Sequence, residues 1–202
     1  MANSEMNADI STADEHRIII AGFGGQGVLT LGKLLCTACM DEGKAVTYLP
    51  SYGSEVRGGT ANCHVVVSPQ QIFSPLVENA DSLIVMNAPS FERFSDSLKP
   101  GGLMILNTSL VNPGTYADDR ELVFLPIEAS ERATNLGNVL VTNVIMLGAF
   151  LALSGLCPVT RVQDAIRQLM SGRKSKNIDI NLSALDEGIE TAREAFPQRA
   201  AE

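Results

Sequence analysis

The hexapeptide Gly22-Phe23-Gly24-Gly25-Gln26-Gly27 is the first place where residue types and spacing suggest chemistry. It fits G-x-G-x-x-G. Glycines at that spacing let the chain turn tightly and let an anion approach the free N–H groups that open a helix. A dinucleotide site also needs an acidic residue about 20 positions on, at the end of the second strand, to hold the ribose hydroxyls. Here that strand ends Tyr48-Leu49-Pro50, and Asp41 and Glu42 come before it. A P-loop fits less well, because Gly27 to Lys33 has the spacing but Leu34 stands where Ser or Thr must hold Mg2+. A tight strand-to-helix turn packed against a neighbouring chain is the competing explanation of these glycines.

A second glycine-rich stretch, Ser51 to Gly59, holds Tyr52, Gly53, Glu55, Arg57, Gly58 and Gly59. It follows the C-terminal end of the second strand, the edge where open α/β sheets place ligands. Arg57 offers a planar fork for a carboxylate or phosphate. A solvated loop with a local Glu55–Arg57 pair is the simpler reading. Other reactive side chains are less promising. Cys36 and Cys39 lie three apart inside an amphipathic helix with no second pair, which makes them core residues rather than metal ligands. His64 sits in a predicted strand without a nucleophile or ligand cluster beside it. Asn138 follows Gly137 and is placed to cap a helix, Asn143 reads as an internal amide, and Ser171 to Lys176 is a compact basic turn.

These residues need elements to position them, and the hydrophobic pattern supplies them. Arg17–Ala21 reads as a buried parallel strand. Val28, Leu31, Leu35 and Ala38 mark a helix closed by Gly43. Strands follow at Ala45–Leu49, stopped by Pro50, and at Thr60–Val67, where Ala61, Cys63, Val65 and Val67 share a face. Leu83–Met86, Leu103–Leu106 and Leu122–Leu125 are further strands; Pro100-Gly101-Gly102 forms a turn and Ser90–Leu98 a helix. Helices over Asn138–Leu153, Val159–Met170 and Leu182–Ala195 complete the chain. The first of them is apolar nearly all round, as a helix under other structure or under a partner must be. Alternating strands and helices give an α/β class: a single three-layer domain with a mostly parallel sheet and helices on both faces. The domain runs from 17 to 195, with an acidic tail at 1–16 and a C-terminal tail at 196–202.

Composition narrows the function classes. Trp is absent and aromatic residues make up 5%, so aliphatic side chains must fill the core. The net charge is −8, and Glu5, Asp9, Asp14 and Glu15 carry half of it. A mildly acidic domain has no electrostatic footprint for nucleic acid or anionic lipid. The first sixteen residues lack the basic and apolar regions of a signal peptide, and the longest apolar segment, Val139–Leu153, is shorter than the roughly 20 residues of a membrane span. With four scattered cysteines, the expected setting is the reducing cytoplasm.

Taken together, AGFGGQGVLTLGKLL and PSYGSEVRGGTANCHVVVS resemble the gamma subunit of 2-oxoacid:ferredoxin oxidoreductases, especially forms acting on 2-oxoglutarate or branched 2-oxoacids. They are also similar to one domain of single-chain pyruvate:ferredoxin oxidoreductase. Asn135-Leu136-Gly137-Asn138, Asn143, Leu147-Gly148 and Asn181, Ala184-Leu185 and Gly188 extend the likeness over about residues 17–195. The resemblance implies a complex that decarboxylates a 2-oxoacid, transfers the acyl group to coenzyme A and reduces ferredoxin or flavodoxin. Thiamine diphosphate with Mg2+ and the [4Fe–4S] clusters are then expected on thiamine-binding and ferredoxin-like partner chains. This chain is expected to bind none of them alone, for it lacks both a G-D-G pattern with a following Asn and a cluster run of four cysteines. Gly24, Gly25, Gln26, Gly27, Tyr52, Glu55, Arg57, Gly58, Gly59 and Asn138 are the candidates for ligand or subunit contact, and none is expected to be catalytic. The alternatives are a beta-type subunit of an indolepyruvate oxidoreductase and a stand-alone small-molecule binding protein.

Overall fold

The computed structural model describes residues 15–51, 60–112, 114 and 120–199. The chain begins with β1 (His16–Phe23), turns through the first glycine motif into α1 (Val28–Asp41), and returns as β2 (Ala45–Ser51). β3 (Thr60–Ser68), β4 (Ala80–Val85), α2 (Ala88–Phe94), β5 (Leu98–Asn107) and β6 (Val123–Ile127) follow. The last third is helical: α3 (Ala129–Asn135), α4 (Thr142–Ser154), α5 (Val159–Leu169) and α6 (Ile178–Ala195).

The six strands form one sheet in the order β2-β3-β1-β4-β5-β6. β1, β4, β5 and β6 pair in parallel, and β3 runs antiparallel to both of its neighbours. Every strand except β3 therefore ends at the same edge. β1 and β4 lie side by side there, yet α1 leads from β1 toward β2 while α2 leads from β4 toward β5. The strand order reverses at this point, which is where open α/β sheets place their sites.

The two faces are covered unequally. One carries α1 and α3 to α6, with Ile18, Ile20, Val65, Ile84 and Ile105 packed beneath them. The other carries α2 and the segment holding Ile72 and Val77, over Ile19, Ala21, Val66, Leu83, Val85 and Met104. Alternate residues of β1 enter opposite cores, as a strand covered on both faces requires.

α4 is covered by the chain's own structure. Asn143 to Leu151 are all buried, and α6 crosses them at Gly148 and Gly188. A Cβ on either glycine would collide with a backbone carbonyl of the opposite helix, Leu185 for Gly148 and Ile145 for Gly188. Only glycine permits this approach. The predicted helix over Asn138–Leu153 is thus split: Asn138 Oδ1 accepts from the Leu140 N–H at 3.0 Å, a 3-10 turn spans Val139–Val141, and α4 proper begins at Thr142.

Other boundaries also differ from the sequence pattern. Pro50 lies inside β2, opposite Cys63, and is tolerated because β2 is an edge strand. Pro126 has the corresponding place in the other edge strand, β6. Pro100-Gly101-Gly102 is an excursion within β5, since Leu98 pairs with Ala80 and Leu103 with Ser82. Gly101 has φ +73° there. The helix expected over Ser90–Leu98 starts earlier, at Ala88, and passes into a 3-10 turn at Ser95. The Ser171–Lys176 turn is mostly a 3-10 helix, Gly172–Asn177.

Candidate functional site

The glycine motif occupies the reversal point. Gly22 ends the buried part of β1, and a Cβ there would lie 2.8 Å from Gln26 Oε1, 2.9 Å from Val28 Cγ2 and 3.0 Å from Met86 Cβ. Gln26 folds back across the turn. Its Oε1 accepts the Phe23 N–H at 2.6 Å and the Asn87 amide at 3.4 Å, and its Nε2 donates to the Met86 carbonyl at 3.2 Å. One side chain therefore bridges the ends of β1 and β4. Gly24 and Gly25 remain exposed, and Gly25, at φ +96°, has open space where a Cβ would stand.

Gly27 is the N-cap of α1, with φ +79°. Its carbonyl accepts the Leu31 N–H at 2.9 Å and the Asn143 Nδ2 at 3.1 Å. A Cβ at Gly27 would lie 2.6 Å from that same Nδ2. Asn143 is thus an internal amide, as its sequence position implied, and it joins α4 to the turn. Asn138 lies five residues earlier, in the lead-in to α4.

Two further amides on this edge escaped the sequence reading. Asn87 caps α2, its Oδ1 accepting the Ser90 N–H at 2.9 Å. Asn107, fully buried, donates from Nδ2 to Ser130 Oγ at 2.9 Å, while its Oδ1 has no partner. A signal was present: each Asn directly follows an apolar run, Leu83 to Met86 and Leu103 to Leu106. Among the described residues of the turn and of these strand ends, the polar side chains are amides and hydroxyls. They orient and hold, but they supply neither a general acid or base nor an activated nucleophile.

The nucleotide readings lose ground on this geometry. Gln26 spans the gap a pyrophosphate would approach, and the end of β2 carries no carboxylate for a ribose. Gly32, the second glycine of the P-loop spacing, is a packing glycine inside α1, where a Cβ would lie 2.6 Å from Cys63 Sγ and 2.8 Å from Tyr48 Cε2.

Tyr52, Glu55, Arg57, Gly58 and Gly59 lie outside the described residues. The two ends of their segment do not: Ser51 pairs with Asn62, and Thr60 pairs with Phe23. Both glycine-rich segments therefore depart from the same sheet edge.

All four cysteines are free and buried on the α1 side of the sheet. Burial pushes the Cys36 and Cys63 thiols up to about 12; a hydrogen bond to Cys39, then burial, raises Cys157. Thiols held protonated in this way are inert core groups. His64 is half-buried with an unpartnered Nδ1, and burial and then Arg93 lower its pKa. A polar cavity of about 340 Å³ lies at the opposite edge of the sheet, lined by Arg17, Ser74, Leu76, Glu78, Asn79 and Lys99. Among the described residues, no helix is long and apolar enough to cross a membrane.

The family model of pyruvate ferredoxin/flavodoxin oxidoreductase matches residues 17–191. The chain is 39% identical over 181 residues to the ketoisovalerate oxidoreductase subunit VorA of Methanothermobacter marburgensis, a match covering 89% of this chain and 37% of that one. It is 32% identical over 167 residues to the 2-oxoglutarate synthase subunit KorC of the same organism, covering 80% and 90%. The chain thus spans little more than a third of the ketoisovalerate relative but nearly all of the 2-oxoglutarate one. Among solved structures it resembles the gamma subunit of a keto/oxoacid ferredoxin oxidoreductase from Geobacter sulfurreducens, with a TM-score of 0.73 and 25% identity, over 89% of this chain and 99% of that one.

Proposed function

The chain belongs to the pyruvate ferredoxin/flavodoxin oxidoreductase family, and on that premise we propose that it serves as the gamma-type subunit of a 2-oxoacid:ferredoxin oxidoreductase complex. The complex oxidatively decarboxylates a 2-oxoacid to its acyl-CoA and passes the electrons to ferredoxin or flavodoxin in the cytoplasm. This chain is the companion α/β domain, not the catalyst, and residues 17–195 are its working unit. The observation that carries the reading is the fold match over 99% of a gamma subunit's length. The beta-type indolepyruvate subunit is the weaker alternative.

The side chains of this domain fit a supporting role. A [4Fe–4S] cluster takes cysteine thiolates, and the four thiols here are buried in one core, with burial raising Cys36 and Cys63. Thiamine diphosphate is held through Mg2+, a cation that takes oxygen ligands such as carboxylates. The described residues of the glycine turn include no carboxylate. Both groups therefore belong on partner chains, with thiamine-binding and ferredoxin-like subunits as the partners. The glycine turn, on the sheet edge from which the segment carrying Arg57 departs, marks the side of this domain that meets those chains, near coenzyme A or the substrate carboxylate. The test is reconstitution with and without this chain. Coenzyme A-dependent oxidation of 2-oxoglutarate or ketoisovalerate, followed by reduction of a low-potential dye, is expected only with the chain present. Full turnover without it would refute the proposal.

A further inference from the structure

The C-terminal edge of the sheet differs from the rest of the surface in one measurable respect: from the glycine turn across the ends of β4 and β5 to the lead-in to α4, its described segments carry no charge. Residues 22–32, 82–91, 100–112 and 133–160 contain no Asp, Glu, Lys or Arg, although charged residues make up 19% of the chain. These segments hold the glycine turn, the ends of β4 and β5, and the lead-in to α4. The hydrogen bonds of Gln26 to Met86, Asn143 to Gly27 and Glu131 N–H to Ser109 Oγ tie them to one another and to α3. Large apolar side chains nevertheless point outward here. Leu140 is 71% exposed, Val139 54%, Leu110 51% and Phe23 36%. Glu128 and Glu131, at the start of α3, are the exposed charges at the margin.

A neutral centre with outward apolar side chains and charge kept to the margin is the composition of an interface core. Exposed apolar groups elsewhere have different company: Leu76 lines a cavity with Arg17, Glu78 and Lys99. The interior of the fold gives no reason for Val139 and Leu140 to be apolar. α4 is already covered by α6, and Val139 and Leu140 are more than half exposed, so burial within the domain does not account for them.

We propose that Phe23, Leu110, Val139 and Leu140 form the hydrophobic centre of the surface that docks a companion subunit, around the exposed Gly24 and Gly25. The inference rests on the proposed role as a complex subunit and goes further by assigning the contact to side chains. The occupant is the partner subunit that corresponds to the rest of the ketoisovalerate relative, of which this chain covers 37%. In that relative the equivalent of this domain is joined covalently to the remainder. The matching surface is apolar and uncharged, because a buried unpaired charge opposite Leu140 would be costly.

The test uses the complex co-expressed with this chain carrying an affinity tag. Val139→Asp with Leu140→Asp, and separately Leu110→Asp, are compared with Phe73→Asp, whose side chain is 87% exposed in the segment that borders the opposite-edge cavity. Circular dichroism and the melting temperature of each tagged chain report folding, and Leu140→Met serves as the conservative variant. The expected result is at least about a tenfold loss of bound companion chain for the Asp variants at 110 and 139/140, the scale of an interface hot spot. Phe73→Asp and Leu140→Met should retain it. Retention by the folded Asp variants would overturn this surface and leave the subunit role standing. So would a wild-type chain that dimerises with itself and is made monomeric by Leu140→Asp. If the wild-type chain retains no companion, both proposals fall.

Discussion

The two edges of the sheet are built from different chemistry. At the C-terminal edge Gln26, Asn87, Asn107, Asn138 and Asn143 hold the turn and strand ends with neutral amides. At the opposite edge the groups are ionic. Arg17 pairs with Glu15 at 2.6 Å, Lys99 pairs with Asp81 at 2.6 Å, and Asp81 also accepts the Arg17 N–H at 2.8 Å. His16 is buried beside them, its Nε2 2.9 Å from Ser82 Oγ. Amides keep the same donors and acceptors at every physiological pH and lose little when water is excluded, provided they are paired. Surface ion pairs gain their little in water and are costly to bury. The neutral edge suits permanent cover, and the ionic edge suits solvent.

The sharpest way to break this contrast is at the neutral edge. Gly27→Ala should be the most damaging of three changes. An L-residue in the left-handed region costs about 1–2 kcal/mol, and the new Cβ would also displace the Asn143 amide, 2.6 Å away. Urea denaturation of the variant should show that loss at low and high salt alike.

Next in size is the pH response of the ionic edge. Burial lowers the His16 pKa against a partly opposing effect of Asp81, so the unfolded chain takes up its proton first. Stability should be level above about 6.5, the unperturbed histidine value. It should fall as pH drops from there toward the lowered folded-state value, because the unfolded state then binds more protons. His64 is shifted in the same direction and adds to the slope. His16→Gln should flatten most of the decline in melting temperature between pH 7 and 5; an unchanged profile would remove His16 as its source.

The smallest effect belongs to the exposed pair. Lys99→Met should cost no more than about 1 kcal/mol, because Lys99 is 43% exposed, and the difference from wild type should shrink in high salt. A larger, salt-independent loss would mean that the ionic edge is also a buried surface.

Much of this arrangement was legible in the sequence, and the gaps have physical causes. Gly22 to Gly27 falls between an apolar run and a helical repeat, so its place after β1 follows from local pattern alone. The direction of β3 does not, because alternation of Cys63, Val65 and Val67 is the same whichever way a strand runs. α3 was missed because only Ala129 and Ala133 of its seven residues are buried among polar neighbours, too few for a repeat. α4 was read correctly as a covered helix, but its cover turned out to be α6. The pairing of Gly148 with Gly188 brings together positions 40 residues apart, and periodicity cannot see such a match. Asn87 and Asn107 show the same limit at the site. Asn107 ends β5 and Asn87 lies just past β4, but nothing local reveals that β4 and β5 lie side by side.

The prolines of the outer strands bear on how copies of this chain meet one another. Pro50 and Pro126 each remove an amide donor from an exposed margin of the sheet. The neutral edge presents exposed apolar side chains at one end of the domain. Crowded copies could stack margin to margin into fibrils if those margins offered an unbroken ladder. Each ladder is interrupted, so copies are steered away from open-ended polymerisation.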